Sequence, residues 1–371
     1  MSAQITTVIP TYRRPRLLSR AIRSVLSQSY PHLEVHVYDN ASGDGTPQVV
    51  AELAERDPRV KYHCHNCNIG MMENFAYGIS HVETPFFSIL SDDDFLFPDF
   101  FATAMEALAE HRSATFFFGG LLFFDGGQVV AAPVETWNIE GRVDSPTIFH
   151  ALSTGAWITW TSSLLRTERV IATGGFRPEL GYGSDVELLL RLAVRSAAIV
   201  SRKPCAVMNL HHGSASAADH GQEYSSDKIL TLFESVENEI ARARNEGALL
   251  PEQACSMQRM IRDGLEWRLL RRAFVLLAQE YHDSAVEVAE TLHVRCGKPS
   301  LAAVVRLVAG ANPIGLAVRA WLRLLRRARR TLTRRTWDRR YEQYARLVER
   351  ARNDLECEDS EPLRNAALSV A

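Results

Sequence analysis

The feature that most restricts the fold of this chain is an alternation of short β-rich apolar runs with helical patterns in its N-terminal part. ITTVIP (5–10) is such a run and is ended by Pro10. Leu17, Leu18, Ala21, Ile22, Val25 and Leu26 then recur at helical spacing. LEVHVYD (33–39) reads as a strand that stops at the turn cluster DNASGDGT (39–46), VVAELAERD (49–57) as a helix and VKYHCH (60–65) as another strand. A helix over 71–81 precedes the apolar run PFFSIL (85–90). Such alternation predicts an α/β domain with a largely parallel sheet, and ligands bind such sheets where the strands' carboxyl ends meet loops. Asp39 and the acidic stretch LSDDDFLFP (90–98) both fall at such ends.

Downstream, FFFGGLLFFDGGQVV (116–130) reads as a strand pair with Gly-rich turns, and 147–165 mixes helix and strand signals. SDVELLLRLAVRS (184–196) is an amphipathic helix, and 197–212 is strand-like. Beyond about residue 222 the patterns are helical, over 223–247, 251–280 and 283–293. The expected organisation is an α/β domain over 1–220 and a helical region over 221–371. A chain of 371 residues fits one large domain with a smaller addition.

Hydrophobic residues at 46% and charged residues at 23% are those of a globular protein, and a net charge of −2 gives no reason to expect a nucleic-acid partner. That average conceals an Arg-rich stretch within 314–350. Arg319, Arg323, Arg326, Arg327, Arg329, Arg330, Arg334, Arg335, Arg339 and Arg340 stand against the single acid Asp338 between 319 and 340. If helical, the segment carries Trp321, Leu322, Leu324 and Leu325 beside the cations, a composition that binds anionic membrane surfaces. A solvated helix packed on the α/β domain or on another subunit, as in a homo-oligomer, is the alternative. The N-terminal residues lack the build of a signal peptide, and no run approaches the roughly 18 apolar residues of a membrane span. With six scattered cysteines, the expectation is a cytoplasmic chain with reduced thiols, peripheral at the inner face of the membrane if the basic segment docks there.

Asp92, Asp93 and Asp94 stand side by side between apolar runs. Adjacent carboxylates repel, and apolar surroundings disfavour every charged form, so a positive partner is expected among them. A divalent cation held by hard oxygen ligands is one such partner. A solvated acidic cluster opening a helix is the other reading.

VIPTYRRP (8–15), DNASGDGT (39–46), NIGMMENFAYGI (68–79), LSDDDFLFP (90–98), GGF (174–176) and GSDVELLLRL (183–192) occur in that order. Over residues 4–215 the chain resembles the family-two glycosyltransferases of GT-A fold, which transfer a sugar from a nucleotide diphosphate with inversion, usually with Mn²⁺ or Mg²⁺. The resemblance implies a mixed, mostly parallel sheet flanked by helices, and a cell-envelope glycan or lipid-linked acceptor. UDP is its default nucleotide. It places Pro10, Thr11, Tyr12 and Asp39 by the base, Asn68, Gly70 and Asn74 near the nucleotide, and Asp92 near the ribose. It gives the metal to Asp93, with Asp94 either a further ligand or a support. Ser91 stands where the family commonly has an acid, which leaves open which pair acts as the D-x-D motif. Arg13 and Arg14 face phosphate or solvent.

An inverting transfer needs a base to take the acceptor's proton. The resemblance assigns it to Asp185, with Ser184 in place of the family's Glu, and Glu187 as an alternative base or acceptor contact. Ser184 or Asp185 is equally a helix N-cap. His211 corresponds to a histidine that touches the metal or diphosphate, and His212 follows it. Trp157 and Trp160 are aromatic surfaces for an acceptor sugar or for core packing. Cys64-x-x-Cys67 with His63 and His65 imitates a zinc site but lacks a second ligand pair. Two other readings compete: a catalytically degenerate nucleotide-sugar-binding scaffold, and a sugar-phosphate nucleotidyltransferase, whose Gly-rich phosphate loop VIPTYRRP does not supply.

Overall fold

Strand β1 (Ile5–Thr11) pairs in parallel with β2 (Leu33–Asp39) on one side and β4 (Phe86–Ile89) on the other. Strand β3 (Val60–Cys64) extends the parallel set beyond β2. The connections are α1 (Pro15–Leu26), α2 (Thr46–Arg56) and α3 (Met71–Ser80), so the N-terminal alternation folds as its periodicity predicts. The computed structural model describes residues 4–154, 159–210, 225–310, 312–324 and 341–357. Trp157, His211, His212 and most of the Arg-rich stretch (325–340) lie outside them.

The sheet has ten strands, ordered β3-β2-β1-β4-β9-β6-β10-β5, with β7 beside β6 and β8 beside β10. Here β5 is Phe95–Leu96, β6 Ala114–Phe124, β7 Val129–Ala131, β8 Gly141–Val143, β9 Ser163–Arg166 and β10 Ala197–Asn209. Strand β9 is antiparallel to both neighbours, which leaves β4, β6 and β10 running the same way. This is a mixed, mostly parallel GT-A-type sheet. Its strands β1, β4 and β6 are buried along their whole length, which explains the continuous apolar run of β6. Phe117 joins Ile9, Leu18, Ile22, Phe100 and Phe101 on the side of α1 and α4 (Phe100–Glu110). Phe116 and Phe118 join Val8, Phe75 and Phe87 on the other side.

That second core continues into the C-terminal helices. Helix α7 (Ser184–Arg195) packs on α5 (Ser145–Ser153) and on α8 (Ser226–Asn245), and α9 (Pro251–Ala278) packs on α5 and α8. Leu188, Leu192, Ile229, Phe233 and Ile261 belong to one cluster, so the helical region shares its core with the sheet's helices. Beyond a short α6 (Thr167–Ala172), the remaining helices are α10 (His282–Val294), α11 (Pro299–Ala309), α12 (Pro313–Leu324) and α13 (Glu342–Cys357). Helix α13 returns to α1 and β7, with Arg352 5.8 Å from the centre of the Phe124 ring.

Helix α3 lies close to the sheet at Gly78. A Cβ there would come within 2.5 Å of the Val8 side chain and 2.9 Å of Tyr38. Neither neighbour can yield: Val8 is a β-branched residue in a central strand and Tyr38 is 5% exposed. Gly78→Ala is therefore expected to lower stability by about 1–3 kcal/mol through overpacking. Urea unfolding checks this, with a lower midpoint and an unchanged slope.

Candidate active site

Register brings the chemistry-bearing residues to one edge. Thr11 pairs with Asp39 at the last step of β1 and β2, and the Leu90 N–H donates to Val8 O at 3.0 Å as the chain leaves β4. Thr11, Asp39 and Asp92 thus share the carboxyl end of the sheet. A cavity of about 260 Å³ opens there, lined by Thr11, Tyr12, Arg14, Asn40, Asn68, Asn74, Asp92, Asp93 and Asp94, among others.

Arg20 donates from Nη2 to Asp93 O at 2.8 Å, and two of the three aspartates pair with Arg14. Its Nη1 donates to Asp92 Oδ1 at 3.0 Å and to Asp93 Oδ2 at 2.9 Å. The Thr11 hydroxyl donates to Asp92 Oδ2 at 2.8 Å. Burial nevertheless raises the Asp92 carboxyl to about 6, with Asp93 adding to the rise and Arg14 and Thr11 opposing it. Asp94 turns the other way. It accepts from the Asn209 N–H at 2.9 Å and more weakly from the Thr161 hydroxyl at 3.4 Å. Burial, then the neighbouring Asp93, hold its carboxyl well above the ordinary range. Asp94 thus bonds to Asn209 and Thr161, while Asp92 and Asp93 share Arg14. The single Nη1 nitrogen marks a point from which one cation reaches both carboxylates. A divalent ion that takes one or two carboxylates and completes its shell with phosphate oxygens fits this donor set.

The loop that aims Arg14 is tightly built. Arg13 has φ +57°, in the left-handed region that a side chain rarely adopts. Its N–H donates to Ser42 Oγ at 2.8 Å and its Nε to Ser42 O at 3.1 Å. Ser42 in turn donates through Oγ and N–H to Asp39 Oδ1, at 2.5 and 3.0 Å. The other Asp39 oxygen accepts from the Tyr62 hydroxyl at 2.7 Å. Asp39 is fully buried and internally satisfied, the turn-forming use of an aspartate before a short loop.

Asn40 links this loop to the next. Its amide donates to Asn68 Oδ1 and Gly70 O, both at 3.1 Å, and its oxygen accepts from the Ile69 N–H at 2.8 Å. Gly70, at φ +99°, opens α3, and Asn74 on that helix donates to Tyr38 O at 2.9 Å. Both asparagines line the cavity; Asp39 and Gly70 shape its loops.

Ser184 and Asp185 open α7. The Ser184 hydroxyl donates to Arg177 O at 2.6 Å and Gly181 O at 2.7 Å, which ties it to the turn Pro178–Gly183. Asp185 accepts from the Val186 N–H at 2.7 Å; burial raises its carboxyl to about 6, with Arg268 opposing. Glu187 is fully buried. Its oxygens accept from Arg191 Nε at 2.6 Å and Nη2 at 2.8 Å, and the Ser235 hydroxyl also donates to it. That pairing makes Glu187 a structural anion rather than a base or acceptor contact. Trp160 stacks on Phe75, centroids 4.6 Å apart, and packs against Phe176, the core-packing use of that residue.

Met71 lines both the main cavity and a second hollow, of about 260 Å³, bounded by Glu73, Pro178, Glu179, Gly181 and Lys228. No group of three or more His, Cys, Asp or Glu with metal-holding geometry occurs among the described residues, at HCHNC (63–67) or elsewhere. Cys64 and Cys67 are exposed thiols, while His63 and His65 pack on the Tyr77 ring. Sequence reasoning passed over Asn40, Ser42 and Asn209. DNAS and the end of the β10 run were the only signals for them, and neither discloses a side-chain partner 29 or 116 residues away.

A family model described as glycosyl transferase family 2 matches residues 6–158. Over 114 residues the chain is 32% identical to the GalNAc(5)-diNAcBac-PP-undecaprenol beta-1,3-glucosyltransferase of Campylobacter jejuni, covering 30% of this chain and 37% of that protein. Over 111 residues it is 25% identical to the processive diacylglycerol beta-glycosyltransferase of Mycoplasma pneumoniae, covering 29% and 33%. The chain thus spans less than half the length of these curated relatives. Among solved structures, S. aureus TarS 1–349 in complex with UDP-GlcNAc superposes with a TM-score of 0.61 at 15% identity, over 83% of this chain and 90% of that one. The same protein in complex with UDP gives 0.59 over the same shares. The strand order, the acidic strand end and these likenesses agree: residues 6–158 match the glycosyl transferase family 2 model, and the fold is that of the TarS structures.

Proposed function

We propose that this chain is an inverting glycosyltransferase that moves a sugar from a nucleoside diphosphate, UDP in the first instance, to a hydroxyl of a glycan or lipid-linked acceptor. The observation that carries this reading is the cavity at the carboxyl ends of β1 and β4, into which Asp92 and Asp93 are presented around one cation position. The UDP and UDP-GlcNAc bound by TarS, and the acceptors named for the Campylobacter and Mycoplasma relatives, point the same way.

In this reading Thr11, Tyr12, Asn40, Asn68 and Asn74 form the donor cavity, and Asp39 fixes the loop under the base. Asp93, with Asp92, would hold Mn²⁺ or Mg²⁺, which when bound neutralises charge growing on the diphosphate. Arg14 lies against the same carboxylates and is the nearest side chain able to turn onto phosphate oxygens. The acceptor enters by the hollow on the far side of Met71. Asp185 takes the proton of its hydroxyl, the oxygen bonds to the anomeric carbon, and the bond to the diphosphate oxygen breaks on the opposite face. A carboxylate raised to about 6 suits a base that must hold and release a proton near neutrality.

A second reading is favoured by one observation. Two carboxylates already neutralised by an arginine are also what a metal-independent nucleotide-sugar-binding scaffold would have. Calorimetric titration of UDP with and without Mn²⁺ separates the two: metal-dependent binding supports the transferase, and equal binding with and without metal supports the scaffold.

Asp185→Asn is expected to abolish transfer, by about a hundredfold or more, while UDP binding is retained. In the wild type, kcat/KM should fall as pH drops through about 6, where the base becomes protonated. The same variant should unfold at higher temperature. The folded carboxyl titrates above its unfolded value of 3.8, so the stability it favours is present below 3.8 and is lost as pH rises through about 6. At pH 8 the ionised carboxylate therefore weakens the fold, and its amide should add about 1–3 kcal/mol. A thermal melt that does not rise would refute the buried-carboxylate assignment.

Arg14→Gln should separate the metal from the nucleotide. Without the guanidinium the pair Asp92 and Asp93 attracts a divalent ion more strongly, so Mn²⁺ binding to nucleotide-free protein should tighten about tenfold. UDP binding in the presence of Mn²⁺ should weaken by a similar factor, through loss of a charge-assisted phosphate contact. Electron paramagnetic resonance of free Mn²⁺ reads the first effect and calorimetry the second.

A further inference from the structure

Helices α11 and α12 meet in an elbow bent by 87°. Its inner side is apolar where it meets the core: Ala302, Val305 and Val308 are buried. The bend itself is made by buried polar groups. Arg319, only 5% exposed, donates from Nη1 to Val308 O and, at 3.1 Å, to Gly310 O. Asn312 donates to Leu307 O at 2.8 Å and accepts from the Gly315 N–H at 2.8 Å. A Cβ at Gly315 would lie 2.8 Å from both Val308 O and Gly310 O, so α12 can approach the end of α11 only with glycine there. These contacts satisfy the orphan carbonyls of α11 and fix the angle.

The outer side inverts the usual pattern. Leu307 of α11 is 49% exposed, and Ile314, Trp321 and Leu324 of α12 are 60%, 58% and 63% exposed. Ala317 and Ala320 are exposed between them. Arg323 is the one charged residue on the exposed side of α12, and it pairs with Glu280. A helix whose arginine is buried and whose tryptophan and leucines face outward is built for an apolar surface beyond the molecule. The sequence then runs directly into LRRARRTLTRRTWDRR (325–340), eight arginines against one aspartate.

We propose that the outer face of this elbow docks on an anionic phospholipid surface, with the arginine segment that follows it supplying the charge attraction. The apolar side chains enter the headgroup and acyl boundary while α11 stays packed on α10, so the elbow lies on the membrane and does not cross it. No single described helix is long and apolar enough to span. A second copy of the chain is a poorer occupant, because a self-complementary interface would bring two arginine-dense segments together without acids to match them. The inference goes beyond the transfer reaction and stands without it.

Sedimentation of the full chain with vesicles tests it, comparing pure phosphatidylcholine with vesicles of roughly one-third phosphatidylglycerol across a salt series. The expected result is binding to the anionic vesicles at least about tenfold tighter than to the neutral ones, weakening as salt rises. Trp321→Ser with Leu324→Ser should reduce that binding about tenfold or more. Both side chains are exposed, so the melting temperature and UDP binding should stay as in the wild type. Equal binding by the double variant would overturn the proposal, as would equal binding to neutral and anionic vesicles. A wild-type dimer that the double variant turns into a monomer, with no vesicle binding by either, would overturn it in favour of a second copy. Loss of UDP binding by the wild type would count against the transferase reading alone.

Discussion

Three buried carboxylates in sequence at the end of a strand are the constraint around which the site is arranged. Their mutual repulsion grows as water is excluded, and each must be neutralised, solvated or hydrogen-bonded in place. The protein treats each differently. Asp94 is turned inward onto Asn209 and Thr161, and burial favours its protonated form. Asp92 and Asp93 share Arg14. Burial works against that arginine's charge, yet the two acids outweigh it and its pKa is raised. The cation reaches them because Arg13 accepts a left-handed backbone, and Arg13 does so because Ser42 holds its N–H and side chain. Ser42 is held by Asp39, so the end of β2 is linked through one loop to the acids after β4.

A second set of buried charges positions the proposed base. Glu187 and Arg191 form a pair with essentially no exposure, and Arg191 also donates to Thr173 O and Gly175 O. Breaking such a pair from one side costs about 3–5 kcal/mol, because the remaining charge is stranded. It ties α7 to the GGF turn, while Ser235 and Arg177 connect it to α8 and to the turn before α7. Asp185 sits two residues upstream on the same helix. Its position therefore depends on α8, and the helical region acts on the site through packing as well as by sharing the core.

Much of this was legible in the sequence, for physical reasons. Strands β1, β4 and β6 are buried along their whole length and read as β-rich, largely apolar runs, β2 reads as an apolar alternation with Glu34 and His36 between, and α7 shows an amphipathic stripe. Thr11, Asp92 and Asp93 fall at strand ends that periodicity alone can place. The short antiparallel β5 and β8 left no trace, and β9 only a mixed signal over 147–165, since two to four residues set by tertiary pairing carry no period. The orientation of Asp94 was equally hidden, because its partners come from residues 161 and 209. Glu187 and Ser184 offered acidic and hydroxyl groups beside the proposed base. Only the fold reveals that Arg191 claims the first and that the carbonyls of Arg177 and Gly181 claim the second.

The places where local rules are broken lie at the site and at the elbow. Most aspartates are stable because they are ionised in water, yet Asp92 and Asp185 are both raised to about 6 by burial, so at neutral pH each ionised form opposes folding. An extensive two-sided core offsets such a burden, and the burden makes sense if both groups exist to handle charge that arrives with a substrate. The elbow breaks the opposite rule, with a buried guanidinium and outward tryptophan and leucine, and it too is stable only because its inner contacts are complete. In both regions the folded chain on its own is not the state of lowest local conflict. On the two proposals, what would relieve the conflict in each is an outside partner of matching chemistry, a cation and diphosphate at the strand ends and an apolar, anionic boundary at the elbow.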